Sequence, residues 1–177
     1  MATVSMQTPC PEPSGEHHPT APWSYGLRLP HDARAAGIAR TTLRSVLVRH
    51  GLTHHADTAE LLAGEMVANA YRHTDGPCEL RLSERMSGRL RISVRDTSPV
   101  VPVPFDKPPT AHDHAAAITA TQSAAIACAE DGRGLLLIRL CADDWGGYPI
   151  RTTGGKLLWC ELAPPGCPDP DRFTTAV

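Results

Sequence analysis

The chain has 177 residues, enough for one domain with a real core and tight for two. Its 17 Lys and Arg against 19 Asp and Glu leave a net charge of −2, which gives no electrostatic case for binding nucleic acid. No stretch approaches the roughly 18 apolar residues of a membrane helix, and the start lacks the basic-then-apolar order of a signal peptide. A cytoplasmic protein that engages neither membrane nor nucleic acid is expected.

Residues 1–22 are rich in Pro, Thr, Ser and Glu and read as a disordered lead. "WSYGLRLP" alternates Tyr25, Leu27 and Leu29 on one face and predicts a first strand, stopped by Pro30. In "HDARAAGIARTTLRSVLVRHGL" a stripe of Ala36, Ala39, Leu43, Val46 and Leu47 predicts a helix, with Asp32 as its cap and Gly51 as its stop. A second helix is expected from Thr53 to Arg72, with Asp57 and Glu60 near the positive end of its dipole. "CELRLSE" and "RLRISVRD" have a two-residue period around a Ser87-Gly88 turn and predict a hairpin ending at Asp96. Prolines then break the pattern, and residues 97–131 read as a long functional loop. "GRGLLLIRLCADDWGG" opens a helix on a Gly-x-Gly step. A second hairpin, Tyr148–Thr152 and Lys156–Leu162, precedes a flexible tail at 163–177. This order predicts an α+β two-layer sandwich, three helices on one face of a mixed, mostly antiparallel sheet.

The aromatic content of 5% leaves Leu, Val, Ile and Ala to build most of the core. The six cysteines include no C-x-x-C pair and read as buried or incidental thiols. "HDH" at 112–114 lacks partners at ligand spacing and reads as polar loop.

"GEMVANAYRH" sets Glu65 and Asn69 one turn apart in a helix that otherwise supplies core residues. At about 100° per residue, Glu65, Asn69 and Arg72 share one narrow face beside the apolar stripe. A solvated edge accounts for the trio on its own, although Asn costs several tenths of a kcal/mol in a helix interior. Gly132-Arg133-Gly134 before an apolar helix offers free N–H groups and a close backbone approach to a phosphate. Asp96, at the end of a buried strand, can accept from the amino group of a ligand base.

Joined in order, "ELLAGEMVANAYRHT", "VRDTSPVVP", "DGRGLLLIRLCADDWG" and "GKLLWCEL" resemble the GHKL superfamily of ATP-binding domains, with the Bergerat-type fold. The similarity is to its small anti-sigma-factor serine/threonine kinases and their regulatory ATP-binding relatives, and spans about Trp23 to Leu162. The resemblance implies ATP and Mg²⁺ as cofactors, with Asn69 as the metal ligand and Glu65 as the base that activates the attacking hydroxyl. It implies that Asp96 bonds the adenine amino group, that Gly132, Arg133 and Gly134 hold the phosphates, and that residues 97–131 form a lid. Asp96-Thr97-Ser98 departs from the Asp-x-Gly common in the superfamily, and His73 is expected to make a structural hydrogen bond. The partner implied is a sigma factor or an anti-sigma-factor antagonist, and related kinases often form homodimers.

Two functions follow, a kinase that phosphorylates an antagonist in a partner switch, or a nucleotide-dependent module that sequesters a regulator. A histidine kinase reading, from "HDAR" at 31–34, lacks an upstream dimerisation helix.

Overall fold

The computed structural model describes residues 22–85, 88–103, 105–107 and 133–165. The predicted lead up to residue 21, most of the 97–131 loop with its "HDH", and the tail beyond 165 lie outside the described residues. In chain order the elements are β1 (Ser24–Leu29), α1 (Ala35–Arg49), a 3-10 turn (Thr53–His55), α2 (Ala56–His73), β2 (Cys78–Glu84), β3 (Leu90–Asp96), α3 (Arg133–Cys141), β4 (Asp144–Pro149) and β5 (Lys156–Leu162).

The strands form one sheet in the order β1-β2-β3-β5-β4, and every pairing is antiparallel, in line with the mostly antiparallel sheet expected. Their period of two buries Cys78, Leu80 and Leu82, then Leu90, Ile92 and Val94, then Leu158, Cys160 and Leu162. α2 packs on β2, β3 and β5, with α1 and α3 beside it, so the expected two-layer α+β sandwich holds. Small residues permit close helix packing: Ala35 and Ala39 on α1, and Ala59 and Ala63 on α2, are buried. A side chain at Gly64 would come 2.9 Å from the Arg40 guanidinium.

The ends of α1 separate two local rules. Asp32 does not cap the helix, because its carboxylate accepts the Arg34 backbone N–H at 2.8 Å and pairs with the Arg34 guanidinium at 2.7 Å. Gly51 does stop it: at φ +71° its N–H donates to Val48 O and the Leu52 N–H donates to Leu47 O, the 5→2 and 6→1 bonds of a Schellman turn. "HDAR" is thus a turn, with His31 stacked on Tyr71 and its Nε2 3.0 Å from the Tyr71 carbonyl oxygen.

The second hairpin departs from the sequence reading. β4 begins at Asp144, and residues 150–155 form the turn, whereas Tyr148 to Thr152 had been expected as strand. Gly146 and Gly147 belong to the strand because their neighbours leave no room for side chains. A Cβ on Gly146 would come 2.9 Å from the Trp159 ring, and one on Gly147 would come 2.8 Å from Leu158. Phe105, just past the prolines, is buried and comes up against Gly147 beside Val101.

Among the described residues Cys78, Cys141 and Cys160 are free thiols, no group of three His, Cys, Asp or Glu could hold a metal, and no helix could cross a membrane.

Candidate nucleotide site

Two charged residues break the apolar face of the sheet at neighbouring strand ends. In β3 and β5 the even-numbered residues face the helices, which places Asp96 and Lys156 inward, and the two are register partners. The Lys156 ammonium lies 3.0 Å from Asp96 Oδ1 and 2.9 Å from Oδ2, with both side chains almost wholly buried. The Ser98 backbone N–H donates to Oδ1 at 3.0 Å, while Oδ2 accepts no directed hydrogen bond. Gly155, at φ +84°, makes this closure possible, since a Cβ there would fall 2.0 Å from the Asp96 carbonyl oxygen. Burial, and then the Asp96 charge, push the nearby Cys78 thiol up to about 11, so it stays neutral.

The C-terminal half of α2 supplies the opposite wall. Asn69, although polar, is 3% exposed, because it sits at the edge of the buried stripe. Asn69, Arg72, His73, Ser98, Gly134 and Lys156 line a cavity of about 480 Å³, completed by Val100, Pro102 and Leu135. That volume is in the range of small-molecule sites.

Glu65 reaches the first turn of α3: a Cβ on Gly134 would sit 1.9 Å from Glu65 Oε2. The carboxylate therefore lies where a helix presents free N–H groups and its positive dipole end. Glycine at 134 is what admits it.

The sequence-predicted residues thus fall into two groups. Glu65 on α2 lies against Gly134 on α3, and Gly134 shares the cavity wall with Asn69. Asp96 does not line the cavity; Lys156 does, and Asp96 opens instead on a smaller depression of about 350 Å³ beside Arg28, Arg95 and Thr153. Arg133 opens α3, and Gly132 lies outside the described residues. Asn69 and Glu65 offer the oxygen donors that Mg²⁺ prefers, so the residues present fit that ion alongside phosphate oxygens.

A protein-family model described as the histidine kinase-like ATPase domain matches residues 29–160. The chain belongs to this family. It is therefore an ATP-binding type of domain, and the cavity between α2, α3 and the β3–β5 ends is its candidate nucleotide site. No curated protein matches the chain significantly. A chain in the crystal structure of the SiaB–SiaC complex from Pseudomonas aeruginosa is similar in fold, at 13% identity and a TM-score of 0.53, over 78% of this chain and 88% of that one.

Sequence reasoning set Arg72 on the face of Glu65 and Asn69 but gave no site role to it, to His73 or to Lys156. His73, expected to make a structural hydrogen bond, is exposed and faces the cavity with Arg72. For Lys156 a signal existed: a lysine in phase with Leu158, Cys160 and Leu162 points inward and needs a buried carboxylate, and Asp96 has the same anomaly.

Proposed function

We propose that the chain is an ATP-binding regulatory protein that transfers the γ-phosphoryl group to a serine or threonine of a partner, in a partner switch of the anti-sigma-factor type. The observation that carries this reading is the Glu65 carboxylate set against Gly134, which shares the cavity wall with Asn69.

In this reading Asn69 would hold Mg²⁺, which would supply positive charge to offset that developing on the transferred group. The α3 N-terminus, with Gly132, Arg133 and Gly134, holds the phosphates, and Arg72 and His73 add donors from α2. Glu65 takes the proton of the attacking hydroxyl as its oxygen bonds to the γ-phosphorus and the bond to the β–γ bridging oxygen breaks, releasing ADP. Lys156, held by Asp96 behind it, stands at the end of the cavity left for the base, and residues 97–131 serve as the lid. The partner is a sigma factor or an antagonist of an anti-sigma factor, with a homodimer as the working unit. That the fold is similar to a chain in a two-protein complex supports a protein partner.

A second reading, a nucleotide-dependent binding module with little transfer, draws support from Asp96 being already paired by Lys156.

Calorimetric titration with Mg·ATP tests the site. Binding is expected to weaken without magnesium, and by about tenfold or more in Asn69→Ala. Absence of binding at millimolar Mg·ATP would remove both readings. Binding followed by phosphoserine or phosphothreonine on a partner, lost in Glu65→Gln, would select the first.

A further inference from the structure

The stretch that follows β3 has no helix or strand of its own, yet it is tied at both ends. At its start the Ser98 N–H donates to Asp96 Oδ1 at 3.0 Å. At its far end Phe105 is buried in the core, and its N–H donates to the Pro102 carbonyl oxygen at 2.9 Å. Between these ties Val100 and Pro102 line the cavity, and Val100 is 71% exposed. An apolar side chain so exposed on a cavity wall gains by covering an apolar ligand surface.

The seat of Phe105 lies on β4, outside the cavity. A Cβ on Gly147 would come 3.1 Å from Phe105 Cβ, 3.1 Å from Val101 Cγ1 and 2.8 Å from Leu158 Cδ2. The Leu158 methyl ends a flexible side chain and can turn aside. Phe105 Cβ is bonded to the main chain, so the backbone at 105 must retreat to admit even one methyl group. Gly147 lies in the strand and its φ is not positive, so alanine meets no backbone strain there. Its effect falls on the packed stretch from Val101 to Phe105.

We propose that Gly147 is a positioning residue for the nucleotide: its missing side chain seats Phe105 and Val101, and that seat fixes how closely Val100 and Pro102 approach the ligand. This rests on the cavity being a nucleotide site. Gly147 does not itself line the cavity and acts only through the stretch it holds.

The test is calorimetric titration of the full-length protein with Mg·ATP, wild type against Gly147→Ala and Phe105→Leu. Leu43→Ala, a core substitution on α1 away from the cavity wall, controls for stability alone. Affinity is expected to fall by about tenfold or more in Gly147→Ala and Phe105→Leu and to stay within about twofold in Leu43→Ala. Hydrogen exchange on the nucleotide-free wild type gives a second readout: the Phe105 amide should exchange about a hundredfold or more slowly than in a free chain. Wild-type affinity in Gly147→Ala, or an equal loss in Leu43→Ala, would overturn the inference and leave the nucleotide site standing. Exchange of the Phe105 amide at the free-chain rate would do the same. If the variants do not fold, the exchange result decides. If the wild type does not bind Mg·ATP, the nucleotide site itself falls, and the inference with it.

Discussion

The two ends of the cavity are built by opposite means. At the helix end, α2 and α3 meet through a missing side chain: Gly134 leaves the space that the Glu65 carboxylate enters, and Arg72 and His73 remain exposed. At the sheet end, β3 and β5 meet through a buried ion pair, held by an extended cross-strand register and a glycine with positive φ. Helix termini offer unpaired N–H groups that a ligand can satisfy. Inner strand ends in a sheet have their backbone groups paired, so chemistry there must come from side chains. The helix end should therefore tolerate substitution in folding and lose function, whereas the sheet end should lose folding first.

The largest effect is expected from Asp96→Ala, which strands the Lys156 ammonium in a site where it is 1% exposed. Breaking a buried pair from one side costs about 3–5 kcal/mol. Urea unfolding measures it, and the double variant Asp96→Ala/Lys156→Met should recover most of the loss. A double variant as unstable as the single one would show that packing, not the charge, holds this end.

Next comes Gly155→Ala. Its Cβ would meet the Asp96 carbonyl oxygen at 2.0 Å, at a backbone φ of +84°. A loss of about 2–4 kcal/mol is expected, in the range reserved for strained backbone and steric overlap. A thermal midpoint close to wild type would mean that the β3–β5 closure is loose.

Gly134→Ala should separate the two ends. The clash is with the far end of the Glu65 side chain, which can swing away, and alanine favours the helix by up to about 1 kcal/mol over glycine. Stability should stay near or above wild type, while the proposed phosphoryl transfer falls by about a hundredfold through displacement of Glu65. Retained transfer would show that Glu65 is not held in place by this contact.

The smallest effect lies remote from the cavity, at His55 in the turn before α2. Burial, and then the neighbouring His54, hold its pKa below the usual 6.5. The unfolded chain then binds the proton more readily, so this contribution is complete above pH 6.5 and is lost as the pH falls below it. His55→Gln should reduce the drop in urea midpoint between pH 7.5 and pH 5.5, whereas an unchanged drop would place the acid sensitivity elsewhere.

Much of the fold was legible because its signals are local. The period of two in "CELRLSE" and "RLRISVRD", the Gly51 stop and the one-turn spacing of Glu65 and Asn69 depend on residues within a few positions of each other. Where local signals competed, the reading failed. "DWGG" was kept with the preceding helix segment and the strand begun at Tyr148, yet Gly146 and Gly147 lie in the strand, with the Trp159 ring and Leu158 packed onto them. Asp32 looked like a cap until Arg34 claimed its carboxylate.

The sequence by itself determined the α+β layering, the order of the elements and the helix face carrying Glu65 and Asn69, since steric periodicity and turn chemistry act over a few residues. The tertiary structure alone decided that Lys156 closes on Asp96 across 60 residues and that Gly134 opens the way for Glu65. Both depend on which strand ends and helix termini are brought together, and that is settled by how the whole core packs.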